Sequence, residues 1–374
     1  MAPVTLGAVP PPVGLDIGTD HVRAAFIKPS GSGFTLVGYG SVPMPFGAVV
    51  EGEIVDPQAV SSAIKELWKR AGIRSKDVAI GVSNQKVVVR LIDLPFMEKD
   101  ELAGAIQYQA QDYIPIPVDE AILSYERIGD YMTPSDEHMM EVLLVAAQRD
   151  MINQAVSAVQ GAGLKLAQID ITAFALVRSL LGPVTSVLPD EFEAQGAATG
   201  LIHITSGLTN IVVVERGVPR FTRVSSLGAN QFTQAVANVL NLTFDEAEEL
   251  KLRVGLPRVD GQPVAVPGLD AEVARAAQEA LEREANKFIA EVRRSLDYYL
   301  TQATQAQTIK RIVLAGSGAE LRDLGAYLEK GLQTQVIVGD PLTRIQATGA
   351  VEQAVLADRT GCAAAVGLAL GGVE

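Results

Sequence analysis

The sequence predicts a two-lobed α/β protein built from one domain that occurs twice. A strand–turn–strand motif with a glycine in its turn opens each half, first around Gly18 and again around Gly207. In both halves the apolar runs around this motif form a three-stranded meander, and helices follow it. A chain of 374 residues is also too long for one compact core and suits two domains of ordinary size.

Composition excludes several classes of protein. Apolar residues make up 48% of the chain and charged residues 20%, which is globular composition. A net charge of −13 without a basic run argues against nucleic acid or an anionic membrane as a partner. One cysteine, Cys362, and three histidines cannot form a disulfide framework or a zinc centre. Residues 1–12 do not resemble a signal peptide and no run approaches the roughly 20 apolar residues of a membrane span, so we expect a cytoplasmic protein without direct membrane insertion.

The elements of the first half follow from its apolar runs and turn residues. Gly18-Thr19-Asp20 (the first glycine turn) and residues 30–33 separate the strands of the meander, and residues 84–165 predict an inserted small domain with β-α-β-β-α order. The predicted elements are strands Val13–Ile17, Val22–Ile27, Phe34–Tyr39 and Val78–Val82 with helix Pro57–Gly72, and, in the insert, strands Val87–Leu94, Ile122–Ile128 and Glu141–Ala147 with helices Lys99–Tyr113 and Asp150–Gly161.

The second half repeats this order after a Gly-, Pro- and Ala-rich linker over Leu181–Thr199. A loop over Gly255–Leu269 precedes the longest helix, roughly 271–305, whose apolar residues recur at helical spacing. Gly316-Ser317-Gly318 (the third glycine turn) is predicted to open a helix running through Leu321 to Leu328. The predicted strands are Leu201–Thr205, Thr209–Glu215, Pro219–Val224 and Arg311–Leu314.

The first glycine turn has the chemistry of a phosphate site. Gly18 lets a ligand approach the backbone amides, and the hydroxyl of Thr19 can donate a hydrogen bond. Asp16 ends a buried strand, where holding Mg²⁺ through water would account for a carboxylate. Arg23 lies on the returning strand and could point back at phosphate. A hairpin whose aspartate caps its own turn explains the same residues, and the sequence alone leaves both interpretations open.

The second glycine turn, around Ser206-Gly207-Leu208, keeps only part of this chemistry. Ser206 and Thr209 retain hydroxyl donors, and Gly207 retains backbone freedom. His203, however, stands where the first copy has Asp16. A neutral imidazole offers one donor and one acceptor, and a protonated one repels Mg²⁺. We favour a core histidine satisfied by a neighbouring carbonyl over a catalytic base.

Longer strings resemble one branch of the actin-like ATPase superfamily, in which two lobes clasp ATP between two phosphate loops and an adenosine loop. Residues 111–120 (QDYIPIPVDE) are similar to the Tyr-Ile-Pro-Phe-Pro-x-Asp-Glu signature of the PilM family of type IV pilus assembly. Residues 291–299 (EVRRSLDYY) resemble its Arg-Ser-Leu-Asp-Tyr-Tyr helix. Further similarity lies in Glu246–Lys251, Gly255-Leu256-Pro257 and Val366–Leu370, so the resemblance runs from about Val13 to Leu370.

The resemblance implies a duplicated RNase H-like, actin-like fold with ATP and Mg²⁺ as ligands. Asp16 would position Mg²⁺ through water and is the one candidate for a catalytic residue. Alone, Glu248, Lys251 and the third glycine turn are weak signals. The implied nucleotide-binding residues are Asp16, Gly18, Thr19, Asp20 and Arg23 in the first phosphate loop, Ser206, Gly207 and Thr209 in the second, Glu248 and Lys251 facing the ribose and base, and Gly316, Ser317 and Gly318 in the adenosine loop.

The resemblance also implies four subdomains and a set of partners. A PilN-like membrane protein is expected to dock its cytoplasmic tail in a groove beside an FtsA-like inserted subdomain, which would hold this chain at the inner membrane with other pilus platform and motor proteins. A homo-oligomer is compatible with the pattern. The implied subdomains are IA (13–83, 166–198 and 355–374), the inserted IC (84–165), IIA (199–226 and 309–354) and the helical IIB (227–308).

Two departures from the family pattern concern hydrolysis. His203-Ile204-Thr205 stands where the family usually has Asp-Ile-Gly, and Thr172 stands where it usually has glutamate. Both changes remove carboxylates that could hold metal or orient water, and general-base assistance is worth about 10² to 10⁴ in rate. We therefore expect an ATP-binding scaffold with slow or absent hydrolysis. The alternatives are an active actin-like ATPase or sugar-kinase-type enzyme, and an FtsA-like filament-forming protein, although residues 363–374 lack the basic amphipathic helix of a membrane anchor.

Overall fold

Two β-sheets form the frame of the molecule in a computed structural model that describes residues 11–31, 33–182, 197–259, 266–302 and 308–373. The strands are β1 (Val13–Ile17), β2 (His21–Ser30), β3 (Gly33–Pro43), β4 (Val49–Val50), β5 (Glu53–Ile54), β6 (Asp77–Val82), β7 (Val87–Pro95), β8 (Ala121–Met132), β9 (His138–Gln148), β10 (Lys165–Ile171), β11 (Ala197–Ile204), β12 (Thr209–Glu215), β13 (Val218–Ser225), β14 (Thr308–Ala315), β15 (Gln335–Val338) and β16 (Ile345–Gln346). The helices are α1 (Pro57–Ala71), α2 (Lys99–Tyr113), α3 (Arg149–Gly161), α4 (Thr172–Leu180), α5 (Ala229–Leu240), α6 (Phe244–Val254), α7 (Ala271–Gln302), α8 (Leu324–Leu332), α9 (Gly349–Leu356) and α10 (Ala363–Leu370).

The two sheets repeat one topology. The first lobe has the order β3-β2-β1-β6-β10, with β16 beyond β3, and the second has β13-β12-β11-β14-β15. In each lobe the meander is antiparallel and the two remaining strands of the repeat join in parallel. The register matches as well, because Asp16 pairs with Arg23 in the first lobe at the position where His203 pairs with Asn210 in the second. The duplicated fold predicted from the sequence is confirmed.

A third sheet forms the insert in the first half. Strands β7, β9 and β8 are antiparallel in that order, and α2 covers them with Leu102 and Ile106 in a core of their own. Helix α3 falls within the range predicted for the insert, yet its Ala158 and Val159 pack with Ile64 of α1 in the core of the first lobe. We therefore propose to count α3 with the first lobe, and the other subdomain boundaries remain predictions.

The third glycine turn differs from its prediction. After β14 it opens a short 3₁₀ helix, Ser317–Glu320, and α8 begins only at Leu324. Asp323 interrupts the chain between the two with a left-handed φ of 69°. Arg322, just before it, donates to the carbonyl of Val254 at the end of α6, so this segment is held against the helical subdomain.

An apolar cluster joins the two lobes beneath the cleft. Leu176 and Ala364 of the first lobe pack there with Leu201 and Val212 of the second. Helix α10 is completely buried and lies against β1, β2 and α4. Within the described ranges, no helix is both long enough and apolar enough to cross a membrane.

Gly14→Ala should destabilise the fold, because a Cβ at this position would lie 2.1 Å from the carbonyl oxygen of Ala365 and 2.5 Å from the amide nitrogen of Ala369. Relief requires a shift of the backbone of α10, so we expect the free energy of unfolding in urea to fall by about 3 kcal/mol. The matched control is Gly104→Ala on α2, where no atom lies within 4 Å and the helix should gain roughly 0.5–1 kcal/mol. Equal stabilities of the two variants would contradict this packing.

Candidate functional site

The first and second glycine turns meet at the cleft between the lobes. A Cβ on Gly207 would lie 2.6 Å from Oγ1 of Thr19, so the turns come this close only because position 207 has no side chain. Around the contact lies a cavity of about 40 Å³, which is room for a few water molecules. Its polar lining consists of Asp16, Thr19, Ser83, Thr172, His203 and Asn210, together with Thr205.

Asp16 is a partly buried carboxylate at the end of β1. Burial is the main cause that raises its pKa to about 6; the Arg23 charge opposes this shift, and the charges of Asp20 and Asp358 add to it. A carboxylate held in such an unfavourable environment is typical of a functional site. The prediction that Asp16 positions Mg²⁺ through water stays a prediction.

Arg23 is committed to an ion pair that the sequence analysis did not identify. Its side chain is buried, and Nε and Nη2 donate to the two carboxylate oxygens of Asp358 at 2.7 and 3.3 Å. The hydroxyl of Tyr39 donates to the same carboxylate at 2.6 Å. A phosphate contact from Arg23 would have to share or replace this pair. No motif marks Asp358, because its role depends on a contact between residues 335 positions apart.

Asp20 carries its charge more readily than Asp16. Burial acts to raise its pKa, but the hydrogen bond with His21 at 3.0 Å and the charge of Arg23 outweigh burial and hold the pKa well below its usual range. The hydroxyl of Ser206 in the second glycine turn lowers it further. The first turn also has an internal hydrogen bond, in which the amide of Gly18 donates to the carbonyl of His21 at 2.9 Å.

The second glycine turn uses several of its polar groups internally. The hydroxyl of Thr205 donates to the carbonyl of Leu208, and the carbonyls of Thr205 and Ser206 accept from the first amides of α5. The hydroxyl of Thr209 is buried and donates to the carbonyl of Leu227 at 2.6 Å. Of the hydroxyls predicted to meet phosphate here, that of Thr209 is therefore engaged by the protein's own backbone.

His203 is 2% exposed and lies in the cavity wall. Burial is the main cause that lowers its pKa to about 4, the Arg23 charge lowers it further and Asp20 opposes, so the imidazole is neutral at pH 7. Its Nδ1 atom is buried without a hydrogen-bond partner, so the carbonyl expected from the sequence is not found at this atom.

Asn210 is a site residue that the sequence analysis missed. It is also 2% exposed, its Oδ1 accepts a hydrogen bond from Oγ of Ser83 at 2.6 Å, and its Nδ2 has no partner. Ser83 belongs to the first lobe, so this bond crosses the cleft. The signal that could have identified Asn210 is its place in the second motif, which corresponds to that of Arg23 in the first.

The cavity contains a single carboxylate. Thr172, where the resemblance leads us to expect glutamate, begins α4 and is buried with its hydroxyl close to Gly81. Within the part of the chain that the structure describes, no group of three or more His, Cys, Asp and Glu side chains could hold a metal ion. A cation at this site would therefore depend on Asp16 and on ligand oxygens.

The residues predicted to face the ribose and base form a separate cluster. Nζ of Lys251 lies 2.6 Å from Oε2 of Glu248 and donates to Oγ1 of Thr233 at 3.0 Å. Lys251 is 3% exposed, so its charge is held inside the protein by this pair. The cluster connects α5 to α6 and does not line the cavity between the turns.

The third glycine turn lies beside the end of β11. Gly316 and Gly318 pack against Ile204, and Ser317 is half-buried. The amide of Gly316 donates to the carbonyl of Thr360 at 2.9 Å. The structure thus brings the first and second turns together in one cavity and places the third turn next to the second.

Comparison with known families identifies the group to which these features belong. The sequence profile described as "Type IV pilus assembly protein PilM" matches residues 14–373. The chain belongs to this family. The resemblance stated from the sequence motifs is thereby confirmed.

Curated relatives of this PilM-family chain include the cell division protein FtsA. FtsA of Escherichia coli strain K12 is 26% identical over 364 residues, which cover 88% of this chain and 84% of FtsA. FtsA of Enterococcus hirae is 24% identical over 264 residues, so the match spans 65% of this chain and 57% of that relative.

Solved structures agree with the assignment. The "PilM-PilN type IV pilus biogenesis complex" superposes with a TM-score of 0.77 at 26% identity over 97% of this chain and 98% of that chain. MreB 5 of Spiroplasma citri bound to AMPPNP superposes with a TM-score of 0.52 at 13% identity over 96% of this chain and 95% of that chain. The second comparison shows the actin-like fold alone.

Asp16→Asn should stabilise the protein at neutral pH. The pKa of Asp16 in the folded state, about 6, lies above its ordinary value of 3.8, so wild-type stability falls as pH rises between these values. We expect the variant to be more stable by roughly 2–3 kcal/mol above pH 6 and equal to the wild type below pH 3.8. Urea unfolding in EDTA measures this difference.

Asp20→Asn is the matched control, and the opposite sign is expected. Because the folded pKa of Asp20 is lowered, its ionised form stabilises the protein above the ordinary pKa, and this stability is lost as pH falls. If both variants lost stability at pH 7, the account of Asp16 would be wrong.

Proposed function

We propose that the chain is a cytoplasmic ATP-binding scaffold of a type IV pilus inner-membrane platform, that it docks the cytoplasmic tail of a PilN-like membrane protein, and that it hydrolyses ATP slowly or not at all. The observation that carries the proposal is the superposition of nearly the whole chain on PilM in a PilM-PilN complex. The partner would hold the chain peripherally at the inner membrane. Contacts with other platform and motor proteins, and a homo-oligomer, remain predictions.

The nucleotide would enter between the lobes. Gly18, Thr19 and Ser206 would contact the phosphates, and Glu248 and Lys251 the ribose and base. Because the cavity holds about 40 Å³, entry requires the contact between Thr19 and Gly207 to open. Mg²⁺, where bound, would neutralise phosphate charge, and Asp16 is the carboxylate of this chain that would hold its water ligands.

Slow or absent hydrolysis is supported by the groups present. Asp16 is the single carboxylate in the cavity wall. His203 and Thr172 stand where the resemblance predicts acids. The missing general-base assistance would cost about 10² to 10⁴ in rate.

The PilN-like tail would dock in the groove between α2 and β8, which we call the α2–β8 groove. The groove encloses about 910 Å³, and Tyr108 and Ile122 in its walls are exposed. Among the described strands β8 pairs only with β9, so its outer edge is open to an added strand, whereas the other edge of this sheet, β7, faces β13 of the second lobe. An extended peptide could pair with β8 and bury apolar side chains against α2.

Removal of the groove's exposed apolar groups should weaken tail binding. For Tyr108→Ala and Ile122→Asp, we expect the Kd of a fluorescent peptide with the PilN-like tail sequence to rise at least tenfold in anisotropy titrations. Tyr131→Ala is the matched control, because Tyr131 is an exposed tyrosine of the same strand outside the groove. If the wild type binds the peptide and both groove variants bind it equally well, the tail docks elsewhere.

Phosphate release tests the proposed lack of turnover. The purified wild type, incubated with ATP and Mg²⁺, should release phosphate no faster than Asp16→Asn, since Asp16 is the single carboxylate in the cavity wall and its proposed role is to hold Mg²⁺ and not to activate water. Asp119→Asn, an exposed acid of the insert, controls for contaminating ATPases. Steady release by the wild type and Asp119→Asn that Asp16→Asn abolishes would establish an active ATPase instead.

A further inference from the structure

The two halves of the duplicated site differ in charge at equivalent positions. In the first lobe, Asp16 and Arg23 face each other across the β1–β2 pair with opposite charges. In the second lobe, His203 and Asn210 occupy the same places in the β11–β12 pair, and both are uncharged at pH 7. The second half therefore lacks both the acid and the cation of the first half and has two neutral hydrogen-bonding side chains in their places.

Both neutral side chains have an atom in need of a partner. His203 and Asn210 are each 2% exposed, and Nδ1 of the imidazole and Nδ2 of the amide are buried without a hydrogen bond. Both residues line the cavity that Thr19 and Asp16 line from the first lobe. Buried polar groups are rarely left unpaired, so two in one cavity indicate a polar partner there, either water or a ligand group.

The charges that act on this pair are of both signs. Arg23 lowers the pKa of His203, which places a positive charge within electrostatic reach of the imidazole. Asp20 opposes it, and Asp358 already pairs with Arg23. A neutral imidazole and an amide add donors without adding negative charge, whereas an acid at position 203 would repel a phosphate and need a cation between them.

We propose that His203 and Asn210 donate hydrogen bonds directly to a phosphate group of the bound nucleotide, so that this chain binds ATP without requiring Mg²⁺. The proposal rests on the proposed function, since it assigns part of the same nucleotide site. Oδ1 of Asn210 stays bound to Ser83 and leaves Nδ2 free to donate, and the imidazole donates in the tautomer that carries its hydrogen on Nδ1. Mg²⁺ can still join through Asp16, but binding does not depend on it.

Calorimetric titration with ATP in Mg²⁺ and in EDTA tests the metal requirement. We expect the two Kd values to agree within about threefold, since neutral donors replace the role of a metal at this position. Binding in Mg²⁺ that weakens more than tenfold in EDTA would overturn the inference and leave the proposed function intact. No binding in either buffer would contradict the nucleotide part of the proposed function itself.

A direct readout uses the wild-type protein. The chain has three histidines, so the ¹⁵N spectrum of histidine-labelled protein is simple to assign. On addition of ATP in EDTA, the Nδ1 signal of His203 should shift, while that of exposed His138 on β9 should not. A His203 signal that stays unchanged while ATP binds would show that Nδ1 meets only a structural water, and would overturn the inference.

Carboxylate variants provide a second arm. His203→Asp and Asn210→Asp place an acid where a donor stood, so binding in EDTA should weaken at least tenfold while Mg²⁺ restores a large part of it. Glu248→Gln is the matched control, because Glu248 lies outside the cavity and its loss should weaken binding by the same factor in both buffers. Thermal unfolding of each variant confirms that the fold is intact, and Asn210→Asp, which keeps the acceptor for Ser83, suffices if His203→Asp does not fold.

Discussion

The buried ion pair between Arg23 and Asp358 is the interaction on which the site depends. A desolvated guanidinium is costly unless it is paired, and removing one partner of such a pair typically costs about 3–5 kcal/mol. Here the pair fixes β2 of the first lobe to the segment before α10. Thr360, two residues after Asp358, accepts a hydrogen bond from the amide of Gly316 and donates to Glu320 at 2.5 Å. One short segment therefore holds both the cation beside the first glycine turn and the third glycine turn of the other lobe.

The same guanidinium influences the charge states around the cleft. Its charge acts on Asp16 and Asp20 of the first lobe and on His203 of the second. One cation thus acts on both halves of the duplicated site, and Asn210 stands where the first half has Arg23.

Much of the fold could be predicted from the sequence because its signals are local. The first and last residues of β1 and α2 agree with their predictions, since turn glycines, prolines and apolar periodicity determine element boundaries within a few positions of themselves. The register of β11 on β12, which makes His203 equivalent to Asp16, also follows from the two motifs. These elements repeat in order, so the duplication could be predicted before any packing was known.

What could not be predicted depends on contacts distant in the sequence. Asp358 carries no motif, and its carboxylate is important only because β2 packs beside it. The left-handed Asp323, which delays α8, depends on how Arg322 reaches the end of α6. Likewise α3 continues the insert in sequence but shares the core of α1. This could not be predicted, because apolar periodicity shows that a helix has a buried face but not which neighbour covers it.

The closed cleft explains how binding without turnover could serve a scaffold. A nucleotide that separates the turns must give up the contact of Thr19 with Gly207 and the bond from Ser83 to Asn210, so it binds the open and closed arrangements with different affinities. A ligand shifts the equilibrium between the open and closed arrangements by the difference in its binding free energy for the two, and this shift does not require hydrolysis. The shift would be transmitted to the insert, because Glu141 of β9 is paired at 2.6 Å with Arg220 of β13 in the second lobe. Through this ion pair, movement of the second lobe therefore acts on the sheet whose far edge borders the α2–β8 groove. The ion pair either survives the opening or breaks with it.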